Sequence, residues 1–117
     1  MNKRQVGKDY EELAAHCLEE KGYRILERNF RCRQGEIDLI ALDGSCLVFV
    51  EVKYRRDGRA GDPAEAVDFR KQRRIICTAA YYCYKRNIGE SQACRFDVIS
   101  VLGSEVRHIE NAFEYQG

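Results

Sequence analysis

Two segments decide the fold of this chain: Gly35-Glu36-Ile37-Asp38-Leu39-Ile40-Ala41 and Val48-Phe49-Val50-Glu51-Val52-Lys53. Each segment has the pattern of a buried β-strand into which charged side chains have been inserted. A carboxylate that leaves water loses hydration worth several kcal/mol unless a partner compensates the loss. Asp38, Glu51 and Lys53 therefore need a partner within an otherwise apolar sheet. A divalent cation is the most economical partner, and phosphate chemistry is its most natural task.

The connection between these two strands is marked by Asp43-Gly44 and is short enough to force antiparallel pairing. Side chains alternate along a strand, so Glu51 and Lys53 share one face of the second segment. Asp38 and Glu51 lie about equally far from the turn, and we expect pairing to bring them together. When two carboxylates lie this close, the pKa of one of them rises unless a cation lies between them.

A helix is predicted over about residues 4–21, and Gly22 ends it. Glu11 lies at the edge of its apolar stripe, where it can reach a site at the margin of the core, and Glu12 should face solvent. Ala14 and Ala15 keep the helix slim beside the sheet. The stripe consists of Tyr10, Leu13, Ala14, Cys17 and Leu18.

The remaining periodicity predicts an α/β fold with a mixed sheet. The third strand is apolar on both faces and should be central. Asp62-Pro63-Ala64-Glu65 is a strong helix start, with a second one at Asp68. The expected elements are strands at roughly 23–32, 36–43 and 46–54, a basic loop over 55–62, a helix to about 87, and strands at 95–102 and 105–110. The buried side of the second helix should hold Ile75, Ile76, Ala79, Ala80 and Cys83.

With 117 residues, the chain has room for one domain spanning 1–117, and its 44% apolar content excludes a disordered chain. The longest apolar run, Cys46–Val50, is too short to cross a membrane. The N-terminus is polar and resembles no signal peptide, so a cytoplasmic location is the default.

The six cysteines include no Cys-x-x-Cys pair, which favours reduced core thiols over zinc ligands or disulfides. Neither His16 nor His108 has a visible partner, so both are expected on the surface. Arg95 and Asp97 lie on one face of the fourth strand and should form a structural pair.

Charge is unevenly distributed: residues 53–86 carry a net charge of +6, and the remainder carries −5. A basic segment beside an acidic pocket is typical of a metal-dependent nucleic-acid enzyme, although a solvated helix face explains it equally well. Lys71 and Gln72, early in the helix, are the best candidates for phosphate contacts. The full set of candidates is Arg55, Arg56, Arg59, Lys71, Gln72 and Arg74. Tyr81, Tyr82 and Tyr84 could stack on bases, but at least one should belong to the core.

These motifs resemble the PD-(D/E)xK nuclease superfamily, and more closely the UPF0102 (YraN-like) family. The two strand segments are the specific part of the match. Two departures are Ile37, where the superfamily often has Pro, and the bulky Tyr10 beside Glu11, which could narrow access to the site. The wider resemblance covers Tyr10–Ala15, Gly22–Leu26, Asn29-Phe30, Lys71, Ala79-Ala80 and Arg95–Asp97.

The resemblance implies a restriction-endonuclease-like α-β-β-β-α-β core with helices flanking a mixed central sheet. It implies that Asp38, Glu51 and the Val52 carbonyl hold Mg²⁺ or Mn²⁺, and that Lys53 is the catalytic lysine. Glu11 corresponds to the acid on the helix of relatives that include archaeal Holliday-junction resolvases. Glu36 has a weaker claim, because exposure or a salt bridge to Arg31 or Arg33 explains it.

The expected function is a metal-dependent endonuclease that hydrolyses phosphodiesters of DNA. No sequence-reading module is visible, which favours branched or damaged DNA by analogy. A domain this small offers little surface for gripping a duplex, and a homodimer with two sites is compatible with that. The alternatives are a catalytically silent nucleic-acid-binding or scaffolding module of the same fold, and an enzyme that acts on RNA.

Overall fold

A computed structural model of the chain describes the backbone of residues 3–55 and 67–114, and the side chains of residues 9–55 and 67–114. These ranges form an α/β fold with the element order predicted from the sequence, which is compatible with the restriction-endonuclease-like core. The elements are α1 (Lys3–Glu20), β1 (Arg24–Cys32), β2 (Gly35–Asp43), β3 (Cys46–Arg55), α2 (Phe69–Lys85), β4 (Cys94–Leu102) and β5 (Glu105–Phe113).

The strands form one open sheet in the order β1-β2-β3-β4-β5, so β3 is central, as predicted. Strands β3 and β4 are parallel, because α2 lies between them in sequence and returns the chain to the same end of the sheet. The other three neighbouring pairs are antiparallel and are joined by tight turns. Gly44, in the turn between β2 and β3, has φ +60°, which glycine adopts without strain.

Each face of the sheet supports one helix. Leu47 and Phe49 of β3 belong to the core under α2, whereas Val48 and Val50 belong to the core under α1. This alternation was predicted from the strand period. Ala14, Ala15 and Leu18 of α1 are fully buried, so small side chains let α1 approach the sheet closely. The two packed layers hold the strand ends, and with them the acidic groups, in fixed positions.

Helix α2 begins at Phe69 with Asp68 as its N-cap, as the second predicted start required. The Asp68 carboxylate accepts a hydrogen bond from Lys71 N at 2.8 Å, satisfying one of the first unpaired amides. The other predicted start, at Asp62, lies outside the described residues.

The predicted buried side of α2 is correct at Ile75 and Ala79 but wrong at Ala80, which is exposed. The buried stripe continues instead through Thr78 and Tyr82. A spacing of three or four residues keeps a helical stripe on one side, and Ala80 falls outside that spacing.

The cysteines are free thiols, as predicted. Cys32, Cys46 and Cys83 are partly buried against the core, but the prediction of core thiols is wrong for Cys77 and Cys94, which are exposed. His16 is on the surface, as predicted. The prediction for His108 is wrong, because its side chain is only 2% exposed and its Nε2 lies 2.7 Å from Asp97 Oδ2.

The expected pair between Arg95 and Asp97 is confirmed, and it belongs to a larger network. Asp97 is fully buried and accepts hydrogen bonds from Arg95 Nε at 2.9 Å and from the Asn111 backbone N–H at 2.9 Å. Burial alone would raise the pKa of Asp97. The hydrogen bonds from His108, Arg95 and Asn111 outweigh that effect and hold its pKa below the ordinary value. The network ties β4 to β5.

Neither α1 nor α2, the helices found in residues 3–55 and 67–114, has the length and apolar character needed to span a bilayer.

Candidate functional site

The site lies where β2 and β3 stop pairing through their backbones. Leu39 and Val50 are the last paired residues on this side of the hairpin, which places Asp38 opposite Glu51. The Val52 N–H donates instead to the carboxylate of Asp38, at 2.8 Å from Oδ2. Asp38 and Glu51 line the same cleft of about 380 Å³, which we call the acid cleft. The antiparallel register therefore brings these carboxylates to one place, as the spacing from the turn predicted.

Three carboxylates form a cluster beside Glu51. Glu36 and Asp38 line the acid cleft from one face of β2, and Glu11 of α1 lies next to them. Each contributes an oxygen to a group whose atoms all lie within 4.8 Å of one another. When the Asn29 amide nitrogen is turned toward these acids, that nitrogen lies 3.1 Å from each Glu11 carboxylate oxygen and 3.2 Å from Glu36 Oε1. All three acids are half-buried, so solvent only partly screens their mutual repulsion.

This repulsion changes the titration of Asp38. Burial is the largest cause, and the neighbouring charge of Glu51 is the next; together they raise the pKa of Asp38 to about 8. The hydrogen bond from the Val52 N–H opposes them, and Glu11 and Glu36 add further repulsion. Without a cation, Asp38 therefore takes up a proton at neutral pH, because the site disfavours its ionised form.

Glu51 is engaged by two lysines. Its side chain is 7% exposed, and its Oε1 lies 2.8 Å from Lys71 Nζ and 3.7 Å from Lys53 Nζ. Burial, followed by the adjacent Lys71, lowers the pKa of Lys53. Burial would also lower the pKa of Lys71, but its hydrogen bond to Glu51 prevails and raises it. Lys53 is thus the lysine of the pair that gives up its proton more readily.

The predicted phosphate contacts have different surroundings. Lys71 enters the acid cleft and binds Glu51. The Gln72 side chain donates to the Val67 carbonyl at 2.9 Å, so it supports the segment before α2. Arg74 is exposed and lines the acid cleft. Arg55 is half-buried at the end of β3. Arg56 and Arg59 lie outside the described residues.

The aromatic candidates also divide. Tyr82 is buried in the core, whereas Tyr81 and Tyr84 are exposed, as the helical spacing allowed. Tyr10, predicted to narrow access beside Glu11, stacks on Tyr54 with ring centroids 3.9 Å apart.

Sequence reasoning missed the contribution of Glu36 and Asn29. The expected salt bridge of Glu36 is confirmed, with Arg31 Nε 3.1 Å from Oε2, but a Glu36 oxygen also lies within 4.8 Å of oxygens of Glu11 and Asp38. The shared strand face of Glu36 and Asp38 was the signal that could have found it. Asn29 has φ +52°, a conformation that Asn tolerates better than most residues. The presence of an Asn inside a strand was the sequence signal that could have drawn attention to this residue.

Comparison with known proteins agrees with these motifs. Residues 10–101 match the sequence profile described as "Uncharacterised protein family UPF0102". A UPF0102 protein of Lachnoclostridium phytofermentans is 51% identical over 117 residues, which is 100% of this chain and 99% of the relative. Another, from Persephonella marina, is 48% identical over 92% of each chain. A third, from Caldanaerobacter subterraneus subsp. tengcongensis, is 49% identical over 97% of this chain and 98% of the relative. The chain therefore belongs to the UPF0102 family.

Proposed function

We propose that this protein is a nuclease that hydrolyses phosphodiesters of DNA with the help of Mg²⁺ or Mn²⁺. One observation carries the proposal: oxygens of Glu11, Glu36 and Asp38 lie within 4.8 Å of one another, and burial, followed by the charge of Glu51, raises the pKa of Asp38 to about 8. Crowded carboxylates of this kind bind either a proton or a cation, and a divalent cation is the occupant that we propose.

The residues present suit a hard divalent cation. Carboxylate and carbonyl oxygens are the ligands that Mg²⁺ and Mn²⁺ prefer. Asp38 and Glu51 would hold the ion together with the Val52 carbonyl, and Glu11 and Glu36 would extend the site. Once bound, the ion would polarise the phosphodiester and acidify water. The hydrogen bond from the Val52 N–H fixes one Asp38 oxygen and leaves the other oxygen available.

Residues of this chain would accept the proton of the attacking water and stabilise the charge that develops on the phosphate. In hydrolysis, a water oxygen bonds to phosphorus while the bond from phosphorus to the leaving oxygen breaks. Lys53 Nζ has a lowered pKa, and we assign its neutral amine form the role of accepting the proton of the attacking water, while the leaving oxygen takes a proton from solvent. Lys71 keeps its proton, so it would hold Glu51 in place and stabilise the negative charge on the phosphoryl oxygens.

One observation favours a different function, a catalytically silent binding or scaffolding module of the same fold. Lys71 and Lys53 already neutralise Glu51, so part of the site is balanced without an ion. Under this alternative the lysines serve the fold, and the acid cleft binds no cation.

Calorimetric titration of Mn²⁺ into the wild-type protein and into Asp38→Ala separates the two functions. The nuclease proposal expects binding to the wild type and loss of that binding in the variant. Glu12→Gln is the matched control, because Glu12 lies on the same helix as Glu11 but is exposed and pairs with Arg28. Absence of Mn²⁺ binding to the wild type would favour the scaffold.

Cleavage of a fluorescent plasmid or oligonucleotide by the wild type in Mn²⁺, and its loss in Asp38→Ala, then tests the reaction itself. Parallel lanes with branched DNA, single-stranded DNA and structured RNA sort the substrate class.

A further inference from the structure

A second cleft, of about 600 Å³, adjoins the acid cleft. We call it the arginine cleft, and it shares two of its walls, Arg70 and Arg74, with the acid cleft. A polymer that lies in the acid cleft and continues past these two arginines would enter the arginine cleft. Its lining consists of Gln34, Phe69, Arg70, Arg73, Arg74 and Cys77.

Two arginines of this cleft, Arg70 and Arg74, also border the acid cleft and its carboxylates. Within the described ranges, Arg70, Arg73 and Arg74 form no ion pair, and they crowd together on less than two turns of α2. Other arginines of this chain do pair with carboxylates, namely Arg28, Arg31, Arg86 and Arg95. Three crowded like charges repel one another, and an anionic ligand would relieve that repulsion.

Phe69 supplies a different kind of surface in the same cleft. It is the first residue of α2, and 59% of it is exposed, although any helix-compatible polar residue could occupy this position. Single exposed apolar side chains are common on proteins and need no explanation by themselves. Phe69 differs because it lines a cavity together with the side chains of three arginines. Alternating aromatic and cationic groups are what single-stranded nucleic acid stacks on and tracks along.

We propose that the arginine cleft binds an unpaired DNA nucleotide whose base stacks on Phe69, while Arg70 and Arg73 contact the flanking phosphates. The inference rests on the proposed function, since it places this nucleotide next to the phosphodiester held in the acid cleft. A base inside a duplex has both faces covered by its neighbours and cannot stack on a side chain. The preferred substrate is therefore DNA with an unpaired nucleotide at the cut, such as a gap, flap or single strand, rather than continuous duplex.

Stacking can be observed directly, because the chain contains no tryptophan. In Phe69→Trp, the indole is the only fluorophore of its kind, and its emission should be quenched when a base stacks on it. Titration in EDTA with a 20-nucleotide single strand, with the same strand in a duplex, and with a gapped duplex avoids cleavage. Quenching by the single strand and by the gapped duplex, but not by the continuous duplex, is expected. Equal quenching by the continuous duplex, or none by any of the three, overturns the proposal.

Affinity gives the second readout. Phe69→Ala should weaken binding of the gapped duplex by about 5- to 100-fold and leave the continuous duplex unchanged. Tyr84→Ala is the matched control: Tyr84 is 81% exposed on the same helix, but it lies near the opposite end. A loss in Tyr84→Ala as large as that in Phe69→Ala would show that any exposed aromatic ring serves, and would overturn the assignment to the arginine cleft.

The arginines are tested by salt dependence. The double variant Arg70→Ala/Arg73→Ala should reduce the slope of log affinity against log salt by about one to two for single-stranded DNA. The reason is that binding releases fewer counterions from the DNA when fewer phosphates are contacted. Lys85→Ala, which removes an exposed cation at the far end of α2, should leave the slope unchanged. An unaltered slope in the double variant contradicts the proposed phosphate contacts.

Failure of this inference can be told from failure of the proposed function. If continuous duplex is cleaved as fast as gapped DNA and Phe69→Trp is not quenched, the arginine cleft is misassigned and the nuclease remains. If quenching is selective for unpaired DNA but no metal supports cleavage, the subsite stands and the nuclease proposal fails.

Discussion

The Val52 N–H donates to Asp38 Oδ2 at 2.8 Å, across two strands whose backbones stop pairing after Leu39 and Val50. A side chain thus takes the place of a main-chain acceptor at the point where the hairpin opens. The Asp38 side chain thereby gives the Val52 N–H an acceptor and leaves room for a cleft between the strands. It also fixes the orientation of the carboxylate on which the proposed metal site most depends.

Asp38→Asn should stabilise the metal-free protein by roughly 1–3 kcal/mol at pH 7, because it removes a carboxylate that burial and repulsion disfavour. Asn can still accept the hydrogen bond from the Val52 N–H. Urea denaturation of both proteins in EDTA measures the difference. A variant that is less stable than the wild type would contradict this account of the site.

The same carboxyl makes metal-free stability depend on pH. The folded pKa of Asp38, about 8, lies above its unfolded value of about 4, so the folded state holds the extra proton between these limits. The stabilisation that this extra proton gives the folded state is complete below about pH 4 and is lost as the pH rises through about 8. The free energy of unfolding of the wild type should therefore fall from pH 5 to pH 8 relative to that of Asp38→Asn. A constant difference between the two proteins would argue against the raised pKa.

Cation affinity should have the opposite dependence, since a bound cation requires the ionised Asp38. Mn²⁺ affinity measured by calorimetry from pH 6.0 to 8.5 should increase by up to about tenfold per pH unit and level off above about 8. Glu12→Gln should follow the wild-type curve, because Glu12 is exposed and pairs with Arg28. An affinity that does not change over this range would place the cation elsewhere.

Lys53→Met should lower the rate of DNA cleavage by about 10²- to 10⁴-fold, the usual contribution of a positioned acid or base. Mn²⁺ affinity should be retained or improved, because a positive charge is removed from beside Glu51. Lys85→Met controls for the loss of any exposed lysine and should cleave normally. A Lys53→Met protein of undiminished activity would remove Lys53 from the mechanism.

Away from the site, Asp97→Asn should cost roughly 3 kcal/mol of stability at pH 7, since it leaves Arg95 and His108 without their buried counter-charge. The folded pKa of Asp97 lies below its unfolded value, so its contribution is complete above about pH 4 and is lost as the pH falls through the folded pKa. Urea denaturation should show the wild type and variant converging in acid. Asp43→Asn, which removes a more exposed partner of Arg95, should cost less than about 1 kcal/mol.

The sequence predicted the strand hairpin well because its signals are local. The turn at Asp43-Gly44 sets the register, and the register alone brings Asp38 opposite Glu51. The helical stripe of α1 likewise placed Glu11 at the margin of the core and Glu12 in solvent, and both side chains lie there.

Features that depend on distant contacts could not be predicted in the same way. His108 meets Asp97 because β4 and β5 pair across a register shift between Phe96 and Val98, which no local pattern reveals. Lys71 was expected on the surface facing phosphates, but the docking of α2 against β3 draws its ammonium group to Glu51. In both cases a buried carboxylate meets a partner from another element, and this contact forms only when the sheet and helices assemble.

The proposed ligands and their lysine come from separate elements: Glu11 from α1, Asp38 from β2, Glu51 from β3 and Lys71 from α2. A nascent chain whose α2 is still inside the ribosome would lack the complete set. A proteolytic fragment that contains only one half of the chain would also lack it. Under the proposed function, cleavage would therefore require the complete fold.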